Sequence, residues 1–137
     1  MQFMMLVKHA ENVGAPPKEL MEAVEKLSQE AKSGGTLVGS GGLAPIAAST
    51  RVRVSRGKLT AIDGPFAETR EVVGGYAVLD FNSKQEAVEG AVRFMELYQK
   101  YWPGWEGETE VRQVFAPEDF ARDGKGVSLR PDSVSRK

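Results

Sequence analysis

Residues 63–69 read Asp-Gly-Pro-Phe-Ala-Glu-Thr and lie between two segments with the composition of β-strands. Gly64 tolerates a positive φ and Pro65 fixes φ at about −65°, so the pair predicts a sharp and rigid turn. Asp63 can accept hydrogen bonds from the amides of this turn. Phe66 is too apolar to be left in water. We therefore predict that the turn is pinned to a core or to the wall of a pocket.

The segments on either side of this loop alternate as strands do. Residues 49–55 place Arg51 and Arg53 on one side and valines on the other, and residues 58–62 return after a turn. This pattern predicts a half-buried hairpin. Residues 72–81 predict the next strand, which the loop enters directly.

The rest of the chain supplies the elements of a small α+β domain. Residues 2–8 predict a strand that is apolar on both sides, which is typical of a strand covered on both sides. Apolar residues at helical spacing predict one helix over 18–33 and a second from about 83 to about 100. Residues 36–43 are glycine-rich and predicted to be extended, and 108–115 predict the last strand. This order predicts a ferredoxin-like βαββαβ fold with an inserted β-hairpin, in which both helices cover one face of an antiparallel sheet.

Length and composition limit the function classes. The 137 residues are most simply one domain over 1–120, followed by a tail, 121–137, that we predict to be disordered. The 18 basic and 19 acidic residues give a net charge of −1, so we expect neither a nucleic acid nor a membrane as partner. The chain has no cysteine and one histidine, which argues against a zinc site, and we expect no metal and no cofactor; a magnesium or calcium site made of carboxylates alone is the alternative. The N-terminus lacks the pattern of a signal peptide, so we expect a cytoplasmic protein.

The central loop also carries a family resemblance. Asp-Gly-Pro-Phe at 63–66, followed by Ala-Glu-Thr-Arg-Glu and by Gly-Gly-Tyr at 74–76, resembles the signature of the DGPF-domain proteins within the YCII-related group. Three further segments resemble landmarks of that family in the same order: 3–7, 39–43 and 110–112. The resemblance covers about residues 1–115. It implies a ferredoxin-like unit that dimerises sheet to sheet as a dimeric α+β barrel, and it leaves the biochemical activity undefined.

The predicted topology suggests a site at one end of the sheet. The end of the first strand carries His9 and should lie beside the start of the strand over 72–81, into which loop 63–69 leads. A carboxylate beside the imidazole would fix its tautomer and suit acid–base chemistry, so Asp63 and His9 are the predicted catalytic pair. The resemblance implies a His–Asp pair as well, more directly for Asp63. The alternatives are that His9 only hydrogen-bonds a loop and that Asp63 only closes its own turn.

Four more residues are candidates for ligand binding: Arg51, Phe66, Glu68 and Tyr76. The guanidinium group of Arg51 suits a carboxylate or phosphate, although an arginine there also protects an edge hairpin from aggregation. Glu68 equally fits a solvated run of charges. The aromatic residues of segment 98–105 are dense enough to line a pocket or to pack in an interface.

Together these features predict a small homodimeric protein that binds a small polar molecule near loop 63–69 or performs acid–base or lyase-like chemistry on it. The alternative is a non-enzymatic interaction or regulatory module, which would use the hairpin, the tryptophan-containing loop and the tail. The resemblance implies a link to alternative sigma factors for that alternative. A third possibility is that dimerisation and a rigid core account for every feature.

Overall fold

A computed structural model describes residues 1–10, 13–67 and 71–121 of the chain. Its elements, in order, are β1 Gln2–Ala10, α1 Lys18–Ser33, β2 Leu37–Gly42, β3 Thr50–Ser55, β4 Lys58–Asp63, β5 Glu71–Asp80, α2 Lys84–Tyr101, β6 Gly107–Val114 and α3 Pro117–Ala121. A short 3₁₀ turn, Ile46–Ala48, precedes β3. The predicted ferredoxin-like α+β fold with an inserted hairpin is confirmed. The predicted disordered tail, apart from its first residue, lies outside the described residues.

The main sheet has the strand order β2-β5-β1-β6, and each neighbouring pair is antiparallel. The apolar strand β1 lies inside it between β5 and β6. The end of β1 therefore meets the start of β5, with His9 opposite Val72, as the topology predicted. Strands β3 and β4 form a separate two-stranded sheet.

The core lies between the helices and one face of the main sheet. Phe3, Met5 and Val7 alternate along β1 and are buried on this face. The helices contribute three further buried side chains: Leu20, Ala87 and Ala91. Burying a large apolar side chain of this kind contributes about 1.5–3 kcal/mol, so this layer is the main source of stability.

The two main helices begin and end where local chemistry predicts. Helix α1 follows Pro17 and stops before Gly34. At the start of α2, the Ser83 hydroxyl oxygen accepts a hydrogen bond from the backbone N–H of Glu86 at 3.2 Å. The Glu86 carboxylate accepts one from the N–H of Asn82 at 3.1 Å. This exchange satisfies amides that a helix N-terminus leaves unpaired.

The other face of the main sheet carries the second set of side chains from β1. Met4 and Leu6 are half-buried there, and no described helix covers them. Beside them the Glu110 carboxylate accepts hydrogen bonds from Lys8 Nζ and pairs with Arg112 Nε at 2.5 Å. The bond from Lys8, reinforced by Arg112, holds the pKa of Glu110 below its usual value of 4.5. The same bond raises the pKa of Lys8 above 10.5, against the opposing effect of burial.

We expect Glu110→Gln to lower the free energy of unfolding at neutral pH by a small amount, because the ion pair with Lys8 remains partly exposed to water. The pKa of Glu110 is lowered by folding, so the difference from wild type should persist above pH 4.5 and shrink as the pH falls through the folded-state value. It should shrink again as the pH rises through the raised pKa of Lys8. Urea unfolding over this pH range measures it, with Glu106→Gln as the exposed control. If the difference in the free energy of unfolding between Glu110→Gln and wild type did not vary with pH, the ion pair between Lys8 and Glu110 would be contradicted.

Candidate functional site

A cavity of about 800 Å³ lies between the helical layer and the main sheet. Its floor includes four glycines of adjacent strands: Gly41 and Gly42 of β2 and Gly74 and Gly75 of β5. Apolar residues of α1, namely Val24, Leu27 and Ala31, form part of the opposite wall. At Gly42 an added Cβ atom would meet nothing within 4 Å, so this part of the floor is open.

A β-bulge in β5 shapes one end of this floor. Val7 pairs with Gly75 and Lys8 with Val73, so Gly74 is the extra residue between them. A Cβ atom at Gly74 would overlap with Nε2 of His9. The His9 ring therefore occupies the space above the bulge, and only glycine leaves that space free.

The imidazole of His9 is oriented by the main chain. Its Nδ1 lies 2.6 Å from the carbonyl oxygen of Ala10. A carbonyl oxygen can only accept a hydrogen bond, so Nδ1 is the nitrogen that carries the proton. In the neutral ring, Nε2 then keeps the lone pair that can accept a proton or a hydrogen bond. His9 is one of the residues that line the cavity.

Aromatic rings form a wall next to His9. The ring centroids of Tyr98 and Trp105 are 4.5 Å apart, those of Trp102 and Trp105 are 6.0 Å apart, and Trp105 lies 6.4 Å from the His9 ring. Burial raises the pKa of the Tyr98 phenol, which therefore stays neutral at physiological pH. Trp105 Nε1 is buried and has no hydrogen-bond partner among the described residues, so its N–H is a donor left unused at the wall.

The predicted site residues divide between two places. Tyr76 borders the cavity together with His9, although its position opposite Leu6 places its side chain on the other face of the sheet. Arg51 and Phe66 lie at the base of the hairpin, where the guanidinium carbon is 3.8 Å from the centroid of the buried ring. Asp63 accepts a hydrogen bond from the Thr50 hydroxyl at 2.7 Å. Glu68 lies outside the described residues.

The predicted orientation of His9 by Asp63 differs from the structure. No hydrogen bond or ion pair joins these two described side chains, and the carbonyl of Ala10 takes the orienting role. Along β1, residue 9 continues the alternation of Phe3, Met5 and Val7, which carries its ring toward the helices. Asp63 instead ends β4 opposite Thr50. The end of β1 lies beside the start of β5, while the side chains of His9 and Asp63 have different partners.

The sequence suggested that the aromatic residues of 98–105 line a pocket or pack in an interface, but it did not single out Gly74 as part of a site. Two signals point to them. Adjacent glycines inside a strand pattern are typical of a bulge or a close approach of another group. Tyr98 lies in the last turn of α2, and Trp102 and Trp105 follow the helix directly, so three rings are concentrated in eight residues of sequence.

Comparison with known families gives one match. The family model of the YCII-related domain matches residues 1–94. The chain belongs to the YCII-related family. No curated protein matches it. The matched region of this YCII-related chain includes His9, the bulge and the 63–66 motif, and it ends before the aromatic wall at Tyr98.

Two general properties of the described residues bear on the site. They contain no group of three or more His, Cys, Asp or Glu side chains that could hold a metal ion. None of their helices combines the length and the apolar character needed to cross a membrane.

We expect Gly74→Ala to displace the His9 ring from its place above the bulge. The backbone of Gly74 does not require a positive φ, so the added methyl group acts by overlap alone, with an expected loss of about 1–3 kcal/mol in stability. NMR nitrogen shifts of the imidazole should show loss of the Nδ1-protonated form. Gly42→Ala is the matched control, because a Cβ atom there meets nothing within 4 Å. Unchanged imidazole shifts in Gly74→Ala would contradict this geometry.

Proposed function

We propose that the cavity of this YCII-related protein binds a small organic molecule and that His9 contacts it through Nε2. Ligand cavities typically measure about 300–1,000 Å³ and have mostly apolar walls with a few polar groups. The cavity volume of about 800 Å³ falls in that range. The observation that carries the proposal is the position of Nε2 beside Gly74 in the cavity floor, with Nδ1 committed to Ala10.

His9 and Tyr98 give the cavity complementary polar chemistry. The neutral imidazole offers an acceptor at Nε2, and after protonation the same nitrogen becomes a donor. Nδ1–H donates to the carbonyl oxygen of Ala10, so Nε2 is the ring nitrogen left to contact a ligand. The Tyr98 phenol, kept neutral by burial, is a donor. This pair suits a ligand that exchanges a proton or forms hydrogen bonds at one end and packs against aromatic rings at the other.

We expect His9→Phe to retain the fold and to weaken the binding of hydrogen-bonding fragments about tenfold, since one hydrogen bond contributes about 0.5–1.5 kcal/mol. A fragment collection of small acids, amides and phenols, titrated and followed by amide NMR spectra, provides the measurement. Ala31→Leu, which extends a side chain into the cavity, should abolish binding of all fragments and of the dye anilinonaphthalene sulfonate.

Asp63→Asn is the matched control for the polar site, because Asp63 does not line the cavity. It should leave fragment affinities unchanged. Full affinity in His9→Phe together with a loss in Asp63→Asn would contradict the cavity site and favour the site predicted at loop 63–69. If no fragment binds the wild-type protein, the proposal of a ligand site fails.

We also propose that the protein is a homodimer that associates through the open face of the main sheet. Met4, Leu6 and Val78 form a continuous apolar strip on this face, with Met4 opposite Val78 and Leu6 opposite Tyr76. Tyr76 is 37% exposed. A sheet with apolar side chains on both faces is typically covered on both, and a second copy supplies a cover that the described residues of one chain do not.

We expect Leu6→Lys to convert the dimer to a monomer at micromolar concentration. Leu6 lies opposite Glu110 on β6, so the new ammonium group has a carboxylate within its own chain and the fold should persist. Analytical ultracentrifugation measures the change, and Val88→Lys, on the exposed side of α2, is the control that should remain dimeric. A monomeric wild-type protein would contradict the proposed dimer.

A further inference from the structure

The inserted hairpin of β3 and β4 is amphipathic, and its apolar face is open. Val52 pairs with Ala61 and Val54 with Leu59, which places these four side chains on one face. Val52 is 73% exposed, Val54 69% and Leu59 73%. The opposite face and the turn carry the cations: Arg51, Arg53, Arg56 and Lys58. Within the part of the chain that the structure describes, three large side chains of one face are therefore left in water.

Local backbone geometry fixes the hairpin at its turn and at its base. Arg56 and Gly57 have φ values of 52° and 78°, as a two-residue type I′ turn requires. At the base, the N–H of Gly64 donates to the carbonyl oxygen of Ser49 at 2.7 Å. A side chain at Gly64 would overlap with the carbonyl oxygen of Ile46, so the base is closely packed. These contacts fix the direction in which the hairpin projects, and we call it the arm. An isolated two-stranded sheet is at best marginally stable in water, so the arm needs a further surface to pack on.

Charge indicates what covers the arm. Residues 50–63 contain four cations and one anion, a formal charge of +3, and the whole chain has −1, so the remaining residues carry −4. Two arms stacked on each other would bring together two segments that each carry a formal charge of +3. An arm laid on the body of a second copy joins opposite charges instead.

We propose that the β3–β4 hairpin is an arm whose apolar face lies on the body of a second copy of this chain. Two-fold symmetry makes the exchange reciprocal, so that each arm covers the other protomer and continues the interface formed by the open sheet faces. The proposal rests on the proposed homodimer and adds the β3–β4 hairpin to its interface. The body offers apolar surface beside the sheet edge, where Val38 is 55% exposed and Leu43 49% exposed.

The first test is the triple variant Val52→Thr, Val54→Thr and Leu59→Thr, which removes apolar surface while keeping residues that suit a strand. The dissociation constant of the dimer, from sedimentation of the full chain at a series of concentrations, should rise about tenfold or more. Val88→Thr with Val92→Thr, two exposed valines of α2, is the matched control and should not change it. A triple variant that dimerises like wild type, while Leu6→Lys dissociates, would overturn the arm and leave the sheet-face dimer intact.

The second test maps the contact and does not depend on the stability of the triple variant. The chain has no cysteine, so Val54→Cys gives one attachment site for a benzophenone cross-linker. Cross-links from residue 54 to the partner's body, outside its residues 50–63, support the proposal. Cross-links to the partner's own hairpin, or a wild-type protein that is monomeric and cross-links only within itself, overturn it. Dimer affinity should also fall as salt rises, whereas a rise in affinity would indicate contact between two arms.

Discussion

The antiparallel pairing of β1 with β5, including its bulge at Gly74, is the constraint on which the rest of the structure depends. The pairing brings the end of the first strand to the start of the fifth, although more than sixty residues separate them in sequence. The extra residue in β5 gives the His9 ring a place above the sheet. The same two strands supply the floor of the cavity, so the position of the imidazole and the shape of the cavity have one origin.

The apolar residues of this small domain lie in three places: the core, the wall of the cavity and the exposed surface. Phe3, Met5 and Val7 form the core with the helices, and α2 approaches β1 closely at Gly90, where an added Cβ atom would meet Phe81 at 3.0 Å and Met5 at 3.5 Å. The rings of the α2 end stack on one another and wall the cavity rather than fill it. The remaining apolar surface lies on the open sheet face and on the hairpin. The chain therefore keeps substantial apolar surface outside its core.

Much of the fold was predictable because its signals are local. The span of α1 over 18–33, the Ser83 cap of α2 and the hairpin around Arg56-Gly57 follow from periodicity, capping and turn chemistry. The neighbouring positions of β1 and β5 followed from the handedness of crossovers. These are rules about backbones, and the backbone adjacency of His9 and the start of β5 is confirmed.

The site was less predictable because side-chain direction depends on register. A single bulge changes which residues of β5 face the helices, and the sequence alone does not identify the extra residue. Asp63 lies in the β3–β4 hairpin. Its partner Thr50 could be inferred only after the register of the hairpin was known. The aromatic residues of 98–105 fitted a pocket wall and an interface equally well, because that choice depends on what the neighbouring strands leave unfilled. The catalytic roles predicted for His9 and Asp63 remain predictions.

The position of the His9 ring above the bulge is tested most directly by a nuclear Overhauser spectrum of the wild-type protein. The ring protons of His9 should give strong signals to the α-protons of Gly74 and weaker ones to the indole ring of Trp105, since the first pair is in contact and the second pair of rings has centroids 6.4 Å apart. Signals from His9 to Thr50 or Asp63, with none to Gly74, would place the imidazole at the base of the hairpin and contradict the cavity as its site.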